Sequence, residues 1–429
     1  MQLPEISSLP TGERVISEHV PGVRSVSLGF WIGAGSRDET DSRAGVSHFI
    51  EHLLFKGTAT HSAQEIAEIF DGLGGELNAA TSRETTVVYA RIPDDRLETA
   101  LDVMIGMVYE PAFAEVDSER EVVLEEIAMV EDNPQDLVHD IVAEAVFGSH
   151  ALGRPVIGRA EVISSVSRRA LQGFHGAAYT ADNLVVAAAG NAEHGRLVEL
   201  LAARIPSTPA GARRARKPIR RVSAPGLRFQ RKDTEQYHVC LASPGISRKD
   251  ERRFAASLLD AILGGSASSR LFQEIREKRG MAYAVYSFAS QYSDAGQIGL
   301  YVGTREDNLV ECLEIAAREL GDIAGGNVRA GELERAKENL KGRMLLSLES
   351  TSNRMSRLGK ALVTETELLS LDELIERIEA VTADDVGALA AELLRPDRLS
   401  AAGIGPSEAR FRAAVQRVNP ALVGRPAAA

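Results

Sequence analysis

The stretch "GVSHFIEHLLFKGT", residues 45–58, places two histidines and a glutamate within five residues of a helical pattern. His48 and His52 are four positions apart, so a helix puts both on one face, with Glu51 beside them at a different azimuth. Two imidazoles on one face can hold one metal ion, and a neighbouring carboxylate can act as general base toward a water. The remaining positions fit a buried helix: Phe49, Ile50, Leu53 and Leu54. The stretch therefore predicts a helix that is a core element and that could also supply two ligands of a metal site.

A third ligand is expected from the acidic segment "VDSEREVVLEEIAMVEDNP", residues 116–134. Glu119 and Glu126 are seven positions apart, which is two turns on one face of a helix. We predict Glu126 as the ligand, and Glu119 as the residue that holds a histidine or balances the charge of the site. Glu125 stays open as an alternative ligand. The pattern His-x-x-Glu-His is the inverzincin signature, but it is short, and by itself it more often belongs to an ordinary amphipathic helix.

The bulk composition limits the class of protein. The chain has 429 residues, 44% hydrophobic and 26% charged, with a formal net charge of −12. This length predicts more than one domain, and the acidic balance argues against nucleic acid as a partner. The sequence shows no membrane span and no secretion signal at the N-terminus. The two cysteines, Cys240 and Cys312, fit reduced core thiols, so we predict a cytoplasmic protein.

Two segments of similar length flank a linker. In the first, the apolar residues at positions 26, 28, 30 and 32 alternate with Ser25, Ser27, Gly29 and Trp31, which is the period of a half-buried strand. Residues 205–226 contain four prolines and a cluster of arginines without hydrophobic periodicity, and they predict a solvated linker. A binding role for this basic linker stays open. The expected domains are an N-terminal zinc-binding domain, residues 1–204, and a C-terminal metal-free domain, residues 227–429, that contributes to substrate binding.

The second half repeats the first. Residues 237–265 follow the same order of strand, polar turn and helix that surrounds the histidine motif, which indicates internal duplication. In this copy "HFIEH" is matched by "SLLDA", residues 257–261, and Glu126 is matched by Lys341. One half keeps the candidate ligands and the other half has lost them. This difference favours a role for them in chemistry, since a purely structural triplet need not have been lost.

Four segments in this order resemble the pitrilysin-type zinc peptidases, most closely the mitochondrial processing peptidase subfamily and its bacterial relatives. They are residues 45–58, 74–90 ("GGELNAATSRETTVVYA"), 119–134 and 268–288 ("SSRLFQEIREKRGMAYAVYSF"). The last segment resembles the signature of the family's second, metal-free domain. The resemblance covers nearly the whole chain, from Val15 to about Leu394.

The resemblance implies a role for each matching residue of the metal centre. His48, His52 and Glu126 would hold one zinc ion per chain. Glu51 would activate a water bound to that ion, and Glu119 would be the further acidic residue of the zinc-site helix. The spacing between His52 and the acidic helix is short for the family, which is why Glu125 stays open.

Further matching residues would bind the substrate. Asn78 and Ala79 match the edge strand to which a substrate backbone adds, so that main-chain hydrogen bonds supply the affinity. Arg276 and Tyr283 match a pair that the family's second half sends toward the catalytic centre. There a guanidinium can hold a substrate carbonyl, and a phenol can donate to an oxyanion. Without the resemblance, these two residues would be interpreted as a structural salt bridge and a core tyrosine.

We therefore predict an α+β protein of two homologous α/β domains, each an antiparallel-rich sheet packed by helices, arranged as a clamshell. The predicted function is that of a zinc-dependent endopeptidase hydrolysing unfolded peptides in an enclosed chamber. A homodimer, or a heterodimer with an inactive paralogue, would complete that chamber. The alternative is a non-catalytic core or scaffold subunit of a processing-peptidase-like or respiratory complex. The natural substrate, the cleavage-site preference and the type of dimer stay open.

Overall fold

The computed structural model describes residues 4–206, 216, 218–219 and 224–424. The chain forms two compact units, which are Met1–Ala128 with Pro155–Lys217 and Met344–Ser370, and Met129–Arg154 with Pro218–Arg343 and Leu371–Ala429. Each unit contains one sheet packed by helices, so the predicted α+β class is confirmed. Both units are discontinuous in sequence, unlike the division at 1–204 and 227–429, which stays a prediction about the duplicated halves. Most of the predicted linker, 205–226, lies outside the described residues.

The sheet of the first unit has six strands in the order β1-β2-β6-β3-β5-β4. The strands are β1 Glu5–Ser8, β2 Arg14–His19, β3 Ser25–Ile32, β4 Glu76–Thr81, β5 Thr86–Pro93 and β6 Leu184–Gly190. β2 and β6 run parallel, and all other neighbours are antiparallel. β4 therefore lies at one edge of this sheet.

The sheet of the second unit repeats this topology. Its strands are β7 Leu227–Arg231, β8 Tyr237–Gly245, β9 Ala282–Gln291, β10 Gly296–Thr304 and β11 Ser400–Gly405. Their order is β7-β11-β8-β10-β9, with β7 and β11 parallel and the other neighbours antiparallel. The same order and directions occur in β2-β6-β3-β5-β4, which supports the duplication inferred from the sequence.

Helices pack on both sheets. They are α1 Val46–Leu54, α2 Ala63–Leu73, α3 Leu97–Tyr109, α4 Val116–Asp132, α5 Pro134–Phe147, α6 Ala160–Ile163, α7 Arg168–Ala178, α8 His194–Arg204, α9 Arg253–Leu263, α10 Glu306–Ala324, α11 Ala330–Ser347, α12 Thr351–Val363, α13 Leu371–Ala380, α14 Ala383–Leu393, α15 Glu408–Val415 and α16 Pro420–Val423. Within the described part of the chain, none of them is long and apolar enough to cross a membrane.

Strand β3 is buried on both faces, so the prediction of a half-buried strand is wrong. One face packs into the main core of the first unit, as the alternation predicts. The other face is covered by α12, where Trp31 packs on Met355 and donates from Nε1 to its Sδ at 3.4 Å. Gly29 permits this approach, because a Cβ there would lie 2.5 Å from the same sulfur. The second sheet is covered in the same way by α5, whose Val138 and Val142 pack in its core.

The contact between α12 and β3 leads to a stability prediction. A Cβ at Gly359 would lie 2.1 Å from Nε1 of Trp31, which is 7% exposed and belongs to a buried apolar cluster. We expect Gly359→Ala to destabilise the first unit by about 1–3 kcal/mol through overpacking. The matched control is Gly342→Ala in α11, where nothing lies within 4 Å of the position that a Cβ would take and alanine favours the helix. Urea denaturation midpoints measure both; equal midpoints for the two variants would contradict the packing.

Arg216, one of the described residues of the predicted linker, is hydrogen-bonded to the first unit. Its guanidinium donates to the Asp38 carboxylate at 2.8 and 2.9 Å. It also donates to the carbonyl oxygens of Gly33 at 3.1 Å and Glu84 at 2.6 Å. At this position the linker is therefore attached to the fold rather than solvated.

Candidate metal centre

Helix α1 begins at a turn that requires glycine. Gly45 has a φ of +98°, and a Cβ there would lie 2.7 Å from the carbonyl oxygen of Ile157. The Glu39 carboxylate accepts hydrogen bonds from the backbone N–H groups of Gly45 at 2.8 Å and Ser47 at 2.7 Å. It thereby satisfies two backbone donors that the helix itself leaves without a partner, and it places a negative charge at the helix N-terminus. Glu39 was not predicted from the sequence, because a cap contributed from an upstream turn has no fixed spacing.

The residues of α1 divide between core and site as the sequence predicts. Its five apolar side chains are fully buried: Val46, Phe49, Ile50, Leu53 and Leu54. Its polar residues His48, Glu51 and His52 are only partly exposed. The helix is therefore anchored by one face while the other face presents two imidazoles and a carboxylate.

Three potential ligand atoms meet between α1 and α4. The Nε2 atoms of His48 and His52 are 3.3 Å apart, and the Glu126 Oε2 lies 3.5 Å from the first and 3.3 Å from the second. Among the described residues this is the one group of three metal-donor side chains. In a tetrahedral zinc site with bonds of about 2.0–2.1 Å, neighbouring ligand atoms lie roughly 3.3–3.4 Å apart. The three side chains therefore fit zinc in donor type and in spacing.

Glu125 and Glu119, the two other glutamates considered for the site, differ in burial and in contacts. Glu125 is exposed and lies off the face of α4 that carries Glu126. Glu119 is 5% exposed, and its Oε1 lies 2.9 Å from Nδ1 of His52. Its other oxygen, Oε2, lies 2.6 Å from the ammonium of Lys56. Lys56 was not predicted from the sequence, although its position four residues after His52 put it within reach.

Burial changes the pKa values of His48 and Glu51 in the directions that suit a metal centre with a general base. Burial, together with the nearby charge of His52, lowers the pKa of His48 to about 4, so the imidazole stays neutral at neutral pH. Burial also raises the pKa of Glu51, an effect that Thr81 and His52 oppose. The Oε2 atom of Glu51 has no hydrogen-bond partner within the described residues. A neutral ligand therefore lies beside a carboxylate of raised proton affinity.

Asn78 and Ala79 lie on β4, at the edge of the first sheet. They pair with Tyr89 and Val88 of β5 on one side, and no described strand lies on the other side. Asn78 is exposed, while Ala79 is buried. The predicted edge strand is therefore present, in the same unit as the histidines.

Arg276 and Tyr283 lie in the second unit and contact each other. The Arg276 guanidinium is 4.6 Å from the ring centre of Tyr283 and 4.8 Å from that of Phe272, and it donates to the carbonyl oxygen of Tyr283 at 3.0 Å. The Tyr283 side chain is 79% exposed. The alternative interpretation of Tyr283 as a core tyrosine is therefore wrong, and the phenol is accessible to a ligand.

Three histidines outside α1 have different surroundings. His175 lies 2.9 Å from the carbonyl oxygen of Val108 through Nε2, and burial lowers its pKa to about 4. His139 lies 2.9 Å from the hydroxyl of Tyr286, and His238 lies 2.8 Å from that of Tyr301. None of them belongs to a group of three metal donors in the part of the chain that the structure describes.

Two families match consecutive parts of the chain. Residues 14–160 match insulinase, peptidase family M16, and residues 165–340 match the peptidase M16 inactive domain. The first match contains every residue of the candidate metal centre. The second begins after it and contains Arg276 and Tyr283.

Full-length relatives carry matching names. An uncharacterised zinc protease of Streptomyces coelicolor is 42% identical over 409 residues, covering 93% of this chain and 89% of the relative. An uncharacterised zinc protease of Bacillus subtilis is 40% identical over 392 residues, covering 90% of this chain and 94% of the relative.

Solved structures share the fold. The peptidase M16 inactive domain from Pseudomonas fluorescens superposes with a TM-score of 0.87 at 24% identity, covering 94% of this chain and 98% of that chain. A protease from Helicobacter pylori superposes with a TM-score of 0.86 at 22% identity, covering 94% and 99%. At these identities the likeness concerns the fold alone.

Proposed function

The chain belongs to the M16 family of zinc peptidases, and from that premise we propose that it is a zinc-dependent endopeptidase with one ion held by His48, His52 and Glu126. One observation carries the proposal. Three ligand atoms, two from α1 and one from α4, lie 3.3–3.5 Å from one another, and the partly buried Glu51 directly precedes His52 on α1. Structural zinc sites usually have four protein ligands, whereas catalytic ones have three and keep a position open. Three ligands beside a potential base therefore support catalysis.

The chemistry divides between the ion and this chain's own residues. Zinc bound here would supply a Lewis acid that makes water more acidic and polarises the scissile carbonyl. Glu51 takes the proton of the attacking water at its carboxylate and returns it to the leaving amine. Its burial suits both steps, because a raised pKa makes the carboxylate a better proton acceptor and its acid form a competent donor within the same cycle.

The substrate is an unfolded peptide. A peptide backbone adds to the edge of β4 at Asn78 and Ala79, and this requires an extended chain without its own sheet partners. Arg276 binds a substrate carbonyl, and Tyr283 donates to the oxyanion. The exposed phenol of Tyr283 supports this role.

We further propose a cytoplasmic location and a dimer, either of two identical chains or with an inactive paralogue. The described cysteines Cys240 and Cys312 are both buried free thiols, which suits a reducing compartment. The likeness to the processing-peptidase subfamily, seen in the four sequence segments, supports the dimer.

Metal removal tests the proposal. We expect the purified chain to take up one zinc ion and to cleave an unstructured fluorogenic peptide. A chelator should abolish this activity and added zinc should restore it, while a stably folded protein of similar composition stays intact. If metal-loaded wild-type protein binds no zinc, the proposal fails and the non-catalytic subunit of a larger complex becomes the better interpretation.

A further inference from the structure

Lys56 forms a chain of contacts that ends at a candidate zinc ligand. Its ammonium lies 2.6 Å from Oε2 of Glu119, and Oε1 of Glu119 lies 2.9 Å from Nδ1 of His52. The backbone N–H of Lys56 donates to the carbonyl oxygen of Leu53 at 3.1 Å, which continues the turn beyond the end of α1. Each carboxylate oxygen of Glu119 therefore has its own partner, and both partners come from the same helical segment.

The two histidines differ in this respect. Nδ1 of His52 has the Glu119 carboxylate as its partner, whereas Nδ1 of His48 is buried without a hydrogen-bond partner in the described part of the chain. An acceptor at Nδ1 selects the tautomer in which Nδ1 carries the proton and Nε2 is free to bind a metal. Only His52 is oriented in this way, so the geometry of the ligand set depends on the Glu119 rotamer.

We propose that Lys56 is a positioning residue of the metal centre, which fixes the Glu119 carboxylate so that Glu119 holds His52 with Nε2 toward His48 and Glu126. The inference rests on the proposed function, because it concerns the same zinc site. The Glu119 side chain is 6% exposed, so solvent contributes little to its orientation. Without Lys56, one of its oxygens loses its partner and the carboxylate can rotate away from the imidazole.

If Lys56 acted only through its charge, its removal would change the zinc affinity in the opposite direction. The positive charge of Lys56 repels a divalent cation, so removing it would tighten zinc binding if the residue acted only through space. Removing a group that positions a ligand loosens zinc binding, typically 10- to 100-fold for a partner outside the ligand set. The sign of the change in affinity therefore separates the two roles.

Zinc affinity measured by competition with a chromophoric chelator tests the inference. We expect Lys56→Met to bind zinc about tenfold more weakly than the wild type, and Lys56→Arg to recover most of the loss. The matched control is Lys341→Met in the second unit, since Lys341 is also partly buried and paired with carboxylates of Glu338 and Glu379. It should leave the affinity unchanged. Unchanged or tighter binding by Lys56→Met, in protein with a wild-type unfolding temperature, would overturn the inference.

A double-mutant cycle and an NMR signal test whether Lys56 acts on His52 through Glu119. Because Lys56 acts through Glu119, adding Lys56→Met to Glu119→Gln should weaken zinc binding no further. In metal-free protein, the ¹⁵N signals of the His52 ring should report the Nδ1–H tautomer in the wild type and a mixture in Lys56→Met. Additive losses of zinc affinity, or an unchanged His52 tautomer in Lys56→Met, would contradict an effect of Lys56 through Glu119. If Glu126→Gln keeps full zinc affinity, the proposed function itself fails; if only the Lys56 variants behave as wild type, this inference alone fails.

Discussion

Glu51→Gln is expected to retain zinc and to lose at least about 100-fold in kcat, the lower bound for removing a general base. The amide has the same shape as the carboxylate but cannot accept the proton of an attacking water. The ligand atoms of His48, His52 and Glu126 are not altered, so the zinc content should stay at the wild-type value. Turnover of an unstructured peptide and zinc content are measured on the same preparation.

The control for this variant is Glu121→Gln, which removes one carboxylate from the exposed surface of α4. It should match the wild type in both measurements, because the net charge changes equally in the two variants. Turnover of Glu51→Gln within about twofold of Glu121→Gln would remove Glu51 from the mechanism. Loss of zinc together with turnover would instead mean that Glu51 holds the site together.

Much of the candidate metal centre could be predicted because its residues lie on two helices with regular spacing. Positions i and i+4 on α1, and seven residues apart on α4, share a face whatever the rest of the fold does. The same rule puts Glu125 at a different azimuth from Glu126, and the structure leaves Glu125 exposed. Glu39 was missed because it lies in a turn before α1, where helical spacing does not determine which side chains meet. Lys56 lies one turn after His52, but the sequence does not show that Glu119 would lie between them and accept contacts from both.

The fold class was predicted correctly, but the contacts between distant segments were not. The strand β3 follows from a local pattern, but the cover on its second face comes from α12. Ser27 lies 2.9 Å from Thr351 in hydroxyl-to-hydroxyl contact, across more than 300 residues of sequence. Small residues on a strand indicate that something approaches closely, but they do not identify the approaching element. The two units are discontinuous in sequence because in each of them a helix packs on a sheet whose strands lie far away in the chain.

Glu126→Gln compared with Glu125→Gln gives the sharpest test of the third ligand. The two residues are neighbours on α4 and have the same chemistry, but only Glu126 lies within 3.5 Å of both histidine Nε2 atoms. A neutral amide is a poor zinc ligand, so we expect Glu126→Gln to lose more affinity than the roughly 10- to 100-fold typical of an outer partner, and peptide cleavage with it. Glu125→Gln should retain both.

Competition with a chelator of known affinity measures the two variants side by side. The helix propensity and the charge change are the same in both, so a difference between them reports position alone. Equal zinc affinity in the two variants would exclude Glu126 as a ligand, and a loss confined to Glu125→Gln would require α4 to rotate by about 100° on binding metal. Such a rotation would remove Val123 and Ile127 from the core, where they are 0% and 4% exposed. Packing on this face of α4 therefore supports Glu126, rather than Glu125, as the proposed ligand.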